Sequence, residues 1–164
     1  MSDTNSLLLR LAFLIQVIQK EAAHLKLTDA RLFAEAFTAE RVTKLASDVE
    51  FAERVDAFVA RFGRLQDTLG DKLLPCLLAF LGERTGAVID NLDKAERLGL
   101  ITSADDWLSM RQLRNQMIHD YIQDPTILVS ALNAGHSFVH ELLLTAESMT
   151  AEFSNRSSNS RLPD

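Results

Sequence analysis

The sequence predicts an all-α protein folded as one domain. Three observations lead there. Glycine (6) and proline (3) are scarce among 164 residues, so little of the chain is punctuated by turns. Long runs carry apolar residues at helical spacing. Alternating Val/Ile/Thr segments bounded by Asn-Gly turns, the mark of hairpins, are absent. A length of 164 suits one domain better than two. A hydrophobic content of 47% is enough for a sizeable core.

The elements follow in order. A first helix is expected over about residues 6–27, apolar almost all round and therefore deeply buried or packed on another chain. Thr28-Asp29 reads as the cap of a second helix reaching about Ala46. Ser47-Asp48 caps a third, with Phe51, Val55, Phe58, Val59 and Phe62 at helical spacing. Gly63 and Gly70 are expected to bend or interrupt it, Pro75 to kink it or open a new helix, and Gly82 to end it. A short helix spans about residues 86–97, with Gly99 as its stop. Ser103 caps a helix whose first turn holds Asp105 and Asp106, where carboxylates favour the positive end of the dipole. It runs to about Gln123, where Asp124-Pro125 breaks it. A last helix covers about residues 126–153. The domain is thus 1–153, and the polar, low-complexity stretch 154–164 reads as a disordered tail.

Composition narrows the function. A net charge of −6 argues against a surface that binds nucleic acid everywhere, while allowing a local phosphate site built from a few arginines. One cysteine, Cys76, permits no disulfide framework and no thiol-rich zinc site; within its apolar run it reads as a small buried hydrophobe. The N-terminal apolar run lacks a basic segment before it and a cleavage site after it, so no signal peptide is expected. No run of 18 or more apolar residues occurs, so no membrane span is expected, and the cytoplasm is the expected location.

The chemistry concentrates in Arg114-Asn115-Gln116-Met117-Ile118-His119-Asp120-Tyr121. At 100° per residue, Arg111, Arg114, Ile118 and Tyr121 share one stripe and Asn115, His119 and Ile122 a neighbouring one. Arg114 and His119 diverge by about 140°, so reaching one ligand needs long side chains, a locally distorted helix, or two copies of the helix across a two-fold axis. Arginine offers a planar, permanently charged fork for phosphate, and histidine exchanges a proton near neutral pH. His136 and His140, four apart with Glu141 beside them, miss the H-E-x-x-H spacing and read as ordinary helix residues rather than metal ligands. Arginine and histidine without a metal suit RNA cleavage, in which the 2′-hydroxyl attacks its own phosphate. Taken singly, Arg114 reads as a surface ion-pair partner, Asn115 and His119 as a hydrogen-bonded pair, and Tyr121 as a core edge. By composition the pattern R-N-x-x-x-H-x-Y arises in roughly one such chain in several thousand, so the four are read together.

The octapeptide resembles the R-x4-H-x-Y signature of HEPN-domain toxins from the HEPN/minimal-nucleotidyltransferase toxin–antitoxin systems. The step around Leu98-Gly99-Leu100-Ile101 and the Asp124-Pro125 break are similar too, so the likeness covers about residues 85–150. It implies an antiparallel up-and-down HEPN-like bundle with additional N-terminal helices, and a homodimer whose motif helices line a shared cleft. It also implies metal-independent cleavage of RNA with no cofactor. Arg114 and His119 would be the catalytic pair, supported by Asn115, Tyr121 and Arg111, with Arg84 and Arg97 adding to a local basic patch. Tyr121 would be the residue that a cognate nucleotidyltransferase antitoxin modifies with AMP. No Gly-Ser motif followed by Asp-x-Asp is present, so that antitoxin would be a separate chain. The alternative is a non-catalytic helical module that binds a nucleotide or the nucleotidyltransferase. A third reading is a structural adaptor.

Overall fold

The computed structural model describes residues 2–119 and 124–159, and every regular element among them is helical. Helix α1 spans Ser2–Leu32, α2 spans Ala39–Val42, and a 3-10 turn follows over Thr43–Ala46. Helix α3, Val49–Asp67, continues through a π-helical segment, Thr68–Leu73, into α4, Leu74–Phe80. Helices α5 (Val88–Arg97), α6 (Ala104–His119) and α7 (Pro125–Asn159) complete the order.

The starts and stops have local causes. Asp48 caps α3, its Oδ1 accepting from the Phe51 N–H at 3.0 Å. Ser103 Oγ accepts from the Asp106 N–H at 3.1 Å and so caps α6, as its sequence suggests. Asp124 Oδ1 accepts from the Thr126 N–H at 2.9 Å, and Pro125 takes the first position of α7, where its missing N–H costs nothing. Pro75 stands likewise in the first turn of α4. Gly82 and Gly99 adopt φ of +78° and +73°, which ends α4 and α5.

Several boundaries differ from the sequence reading. Thr28 and Asp29 do not open a second helix; α1 runs through them to Leu32. Their side chains act across helices instead. Arg61 donates to Thr28 Oγ1, and Asp29 Oδ1 lies 2.7 Å from His136 Nδ1. The second segment is one turn, capped by Thr38, and then the 3-10 turn. Gly63 does not break the third helix, whereas Gly70 falls in the π-helical segment that interrupts its α-helical run; α6 lies against both. Helix α7 continues past Phe153 to Asn159, into the stretch read as a tail, while residues 160–164 lie outside the described residues.

Helix α1 packs on α3 and α7, and α6 packs on the same two. Residue numbers run oppositely across each of three seams. Glu21 and Thr28 of α1 meet Thr68 and Arg61. Asp29 and Phe37 meet His136 and Asn133. Trp107 and Arg114 of α6 meet Gly70 and Gly63. The core between them holds Leu11, Leu14, Ile18 and Leu25 of α1, Phe58, Phe62 and Leu65 of α3, Met110 and Met117 of α6, and Leu132, Leu142 and Met149 of α7. The other side of α1 leaves Leu9 (66% exposed) and Phe13 (63%) in solvent, so this helix is not buried all round. By length and composition α7 is apolar enough to cross a membrane, with mean hydropathy 1.3 over its best window. Its Leu128, Leu132, Val139 and Leu142 are buried in the bundle.

The seam between α3 and α6 sets the closest constraint. A Cβ on Gly70 would stand 2.9 Å from Trp107 Nε1, and Trp107 is 2% exposed with no room to retreat. Gly70→Ala should therefore destabilise the protein by about 1–3 kcal/mol, because overpacking exceeds the gain of at most about 1 kcal/mol in helix propensity. Calorimetry would read this as a melting temperature lower by several degrees; an unchanged or higher one would refute the packing account.

Candidate functional site

Helix α6 carries Arg111 and Arg114 on the stripe that faces α3 and the π-helical segment. Arg114 crosses directly over Gly63, where a Cβ would stand 2.7 Å from its Nε. Its Nη1 donates to Asp67 Oδ1 at 2.5 Å. One turn earlier, Arg111 Nη1 lies 3.6 Å from Asp71 Oδ1. Both partners are carboxylates: Asp67 immediately precedes the π-helical turn and Asp71 lies within it. A π turn places its residues off the 3.6-residue rhythm, and such turns recur at functional sites. The sequence reading offered a locally distorted motif helix as one way for Arg114 and His119 to reach one ligand, beside long side chains and two helices across a two-fold axis. The distortion lies in the opposing helix, and α6 itself is regular through His119.

Arg114 is 32% exposed and Asp67 34%, so the pair sits at the rim rather than in the core. A cleft of about 310 Å³ opens beside it, lined by Asp56, Val59, Ala60, Gly63, Met117 and Ile118 with Arg114. Ile118 thus shares the Arg114 stripe as its spacing requires. Asn115, on the neighbouring stripe, is exposed. Met117 turns inward, its sulfur 3.4 Å from the Cβ position of Gly135 in α7, and fixes the depth of α6 in the bundle. The Arg114 Nε is buried and has no acceptor among the described residues. The guanidinium gives Nη1 to Asp67, its Nε is closed off against Gly63, and the donors left for an anion are those on the outer nitrogens.

The side chain of His119 and the whole of Tyr121 lie outside the described residues. Arg84 and Arg97 line a different cleft, with Asp90, Asp93 and Lys94, and Arg97 pairs with Glu83 at 3.4 Å. They do not line the Arg114 cleft. His136 pairs with Asp29 and stacks on Phe33, with ring centroids 4.2 Å apart at 15°; His140 is exposed. Cys76 is a half-buried free thiol.

The carboxylates Asp67 and Asp71 and the glycines beneath α6 escaped the sequence reading. A signal for them exists: Gly63 and Gly70 are seven apart, and so are Trp107 and Arg114, the spacing at which two antiparallel helices repeat their contacts.

Behind the π turn, Thr68 Oγ1 donates to Glu21 Oε1 of α1 at 3.2 Å, while Glu21 Oε2 is buried with no donor among the described residues. Burial raises the Glu21 pKa above its usual 4.5, against the lowering from Thr68 and from Arg64. Compared with known proteins, the chain matches no family model, no curated protein and no solved structure.

Glu21 yields a prediction with a defined sign. A carboxyl whose folded pKa is raised contributes most stability when protonated, and that contribution is lost as pH rises through the folded pKa. Glu21→Gln keeps an acceptor for Thr68 and removes the charge. It should melt higher than the parent at neutral pH, with the gap closing as pH falls through the raised folded pKa and closed below 4.5. Melting curves from pH 3 to 8 would expose the error if the gap were constant or reversed.

Proposed function

We propose that this protein is a HEPN-type toxin, a metal-independent endoribonuclease acting in the cytoplasm as a homodimer. Its helices would form the antiparallel up-and-down HEPN bundle with an N-terminal extension. The observation that carries the reading is the octapeptide, whose first six residues close α6, with Arg114 seated in a cleft, one nitrogen held by Asp67 and other donors available. In the reaction the ribose 2′-oxygen bonds to phosphorus as the bond to the 5′-oxygen breaks. His119 takes or gives the proton, and Arg114 stabilises the pentavalent phosphate. Asn115 orients the phosphate or the imidazole, and Arg111 extends the positive field. The exposed Leu9 and Phe13 of α1 supply apolar surface for a second copy. A separate nucleotidyltransferase antitoxin would silence the toxin by transferring AMP to Tyr121.

The test is cleavage of a mixed single-stranded RNA in EDTA, on protein whose mass shows Tyr121 unmodified. The wild type should cut, and His119→Ala and Arg114→Ala should each lose about 100-fold or more. Undiminished cleavage by His119→Ala would remove the reading.

Gly63→Ala probes the same site without touching a charge. Its new methyl displaces Arg114, a flexible side chain, while helix propensity improves by about 1 kcal/mol. Cleavage should fall about tenfold or more with little change in melting temperature. Full activity would show that the position of Arg114 over Gly63 is immaterial.

The pairing of Arg111 with Asp71 and of Arg114 with Asp67 favours the second reading, a non-catalytic binding module, because both cations are already compensated. Such a protein would leave RNA intact and would melt higher with AMP or ATP, an effect lost in Arg114→Ala.

A further inference from the structure

Positive charge also gathers away from α6. A cleft of about 420 Å³ lies where the end of α1, the connection to α3 and the start of α3 meet. Arg31 enters it from the last turn of α1, Arg41 from α2, Lys44 from the 3-10 turn and Arg54 from α3. Against these four cations stand two carboxylates, Glu35 and Asp48, in a chain of net charge −6. A local excess of the opposite sign to the whole molecule focuses anions there.

The charges are arranged. Arg41 Nη1 donates to the Glu35 carbonyl oxygen at 2.7 Å. Its guanidinium carbon lies 4.7 Å from the ring centroid of Phe51 and 5.3 Å from that of Phe37. Two aromatic faces and a backbone acceptor thus fix this cation before any ligand arrives. Asp48 is committed to the Phe51 N–H as the cap of α3. The Arg54 pair with Glu50 is long, at 3.7 Å, and Glu50 is 86% exposed, so it neutralises little. The side chains of Arg31 and Lys44 have no hydrogen-bond or ion-pair partner among the described residues. The 19-residue α3 begins here and turns the positive end of its dipole toward the same space.

We propose that this cleft binds a small anion carrying a pyrophosphate group. Two phosphoryl groups match four cations set on four separate elements, and the volume suits a nucleotide-sized molecule. The neighbouring cleft, which shares Arg31 and Arg54, adds Glu50, Glu53 and Arg61, and Arg61 is committed to Thr28 Oγ1 and the His24 carbonyl. Glu50 and Glu53 stand among those arginines, so the cations do not form the unbroken track that a long polyanion needs. The inference is independent of the chemistry at α6.

The experiment is a calorimetric titration of the full chain with inorganic pyrophosphate in EDTA, with orthophosphate and a single-stranded RNA oligonucleotide as parallel arms. Pyrophosphate should bind and raise the melting temperature, at least tenfold more tightly than orthophosphate. The double variant Arg31→Ala/Lys44→Ala, at two exposed positions, should weaken it tenfold or more while melting as the parent does. Arg114→Ala should bind it as the parent does. No binding by the parent, equal binding by the double variant, or RNA bound more tightly than pyrophosphate through Arg31 and Lys44 would each overturn the proposal.

Discussion

The close approach of α6 to α3 is the constraint on which the rest of the structure depends. Two helices carrying ordinary side chains lie 8–10 Å apart, with the distance set by the residues at the crossing. Here the crossing residues of α3 and its π extension are Gly63 and Gly70, and those of α6 are Arg114 and Trp107. The large partners fill the space that the glycines vacate. Trp107 is thereby buried to 2% exposure, and Arg114 is drawn over the backbone instead of extending into solvent. Gly135 does the same on the third side, where Phe58 of α3 and Met117 of α6 converge on α7. Three glycines inside helices, each about 1 kcal/mol less helix-forming than alanine, are tolerated because each admits a large neighbour.

The π-helical turn follows from the same seam. Phe58, Phe62 and Leu65 keep the core face of α3, while Asp67 and Asp71 turn to α6. Widening the turn over Thr68–Leu73 shifts the register between these tasks. Leu69 and Leu73 stay buried, Asp71 emerges beside Arg111, and Thr68 turns to Glu21 of α1. Gln66, 2% exposed with both side-chain polar atoms unpartnered among the described residues, and the buried Glu21 oxygen show that the shift leaves polar groups inside that an ordinary core would exclude. Such strain is commonly retained where a site needs it.

What could be read from the chain was what local chemistry dictates. The helical class, the caps Asp48 and Ser103, the Asp124-Pro125 break, the Gly82 and Gly99 stops and the shared stripe of Arg111, Arg114 and Ile118 all depend on residues near one another in sequence. The misreadings share one cause. Thr28-Asp29 has the composition of a cap, and Gly63 that of a break, but each serves a neighbour distant in the chain: Arg61 and His136 for the pair, Arg114 for the glycine. Asp67 was invisible for the same reason, since an acidic residue on a helix looks alike whether it faces water or an arginine on another helix.

The energetics of Arg114 bear on whether it is there for stability. Its pair with Asp67 is about one-third exposed on both sides, and such pairs contribute at most about 1 kcal/mol. Its Nε is buried without an acceptor among the described residues, which costs about 1–3 kcal/mol. The two roughly cancel or leave a deficit, and a leucine or methionine laid over Gly63 would pack as well with neither cost. A phosphate oxygen reaching the outer guanidinium nitrogens would add a second charge-assisted acceptor, while Nε stays buried against Gly63. Asp67 then holds the fork over Gly63 and limits its rotation, so that the donors it leaves free meet a ligand in one orientation. The arrangement is a poor device for holding α6 on α3, a task that Trp107, Met110 and Met117 already perform, and a reasonable one for presenting a cation at the mouth of a cleft.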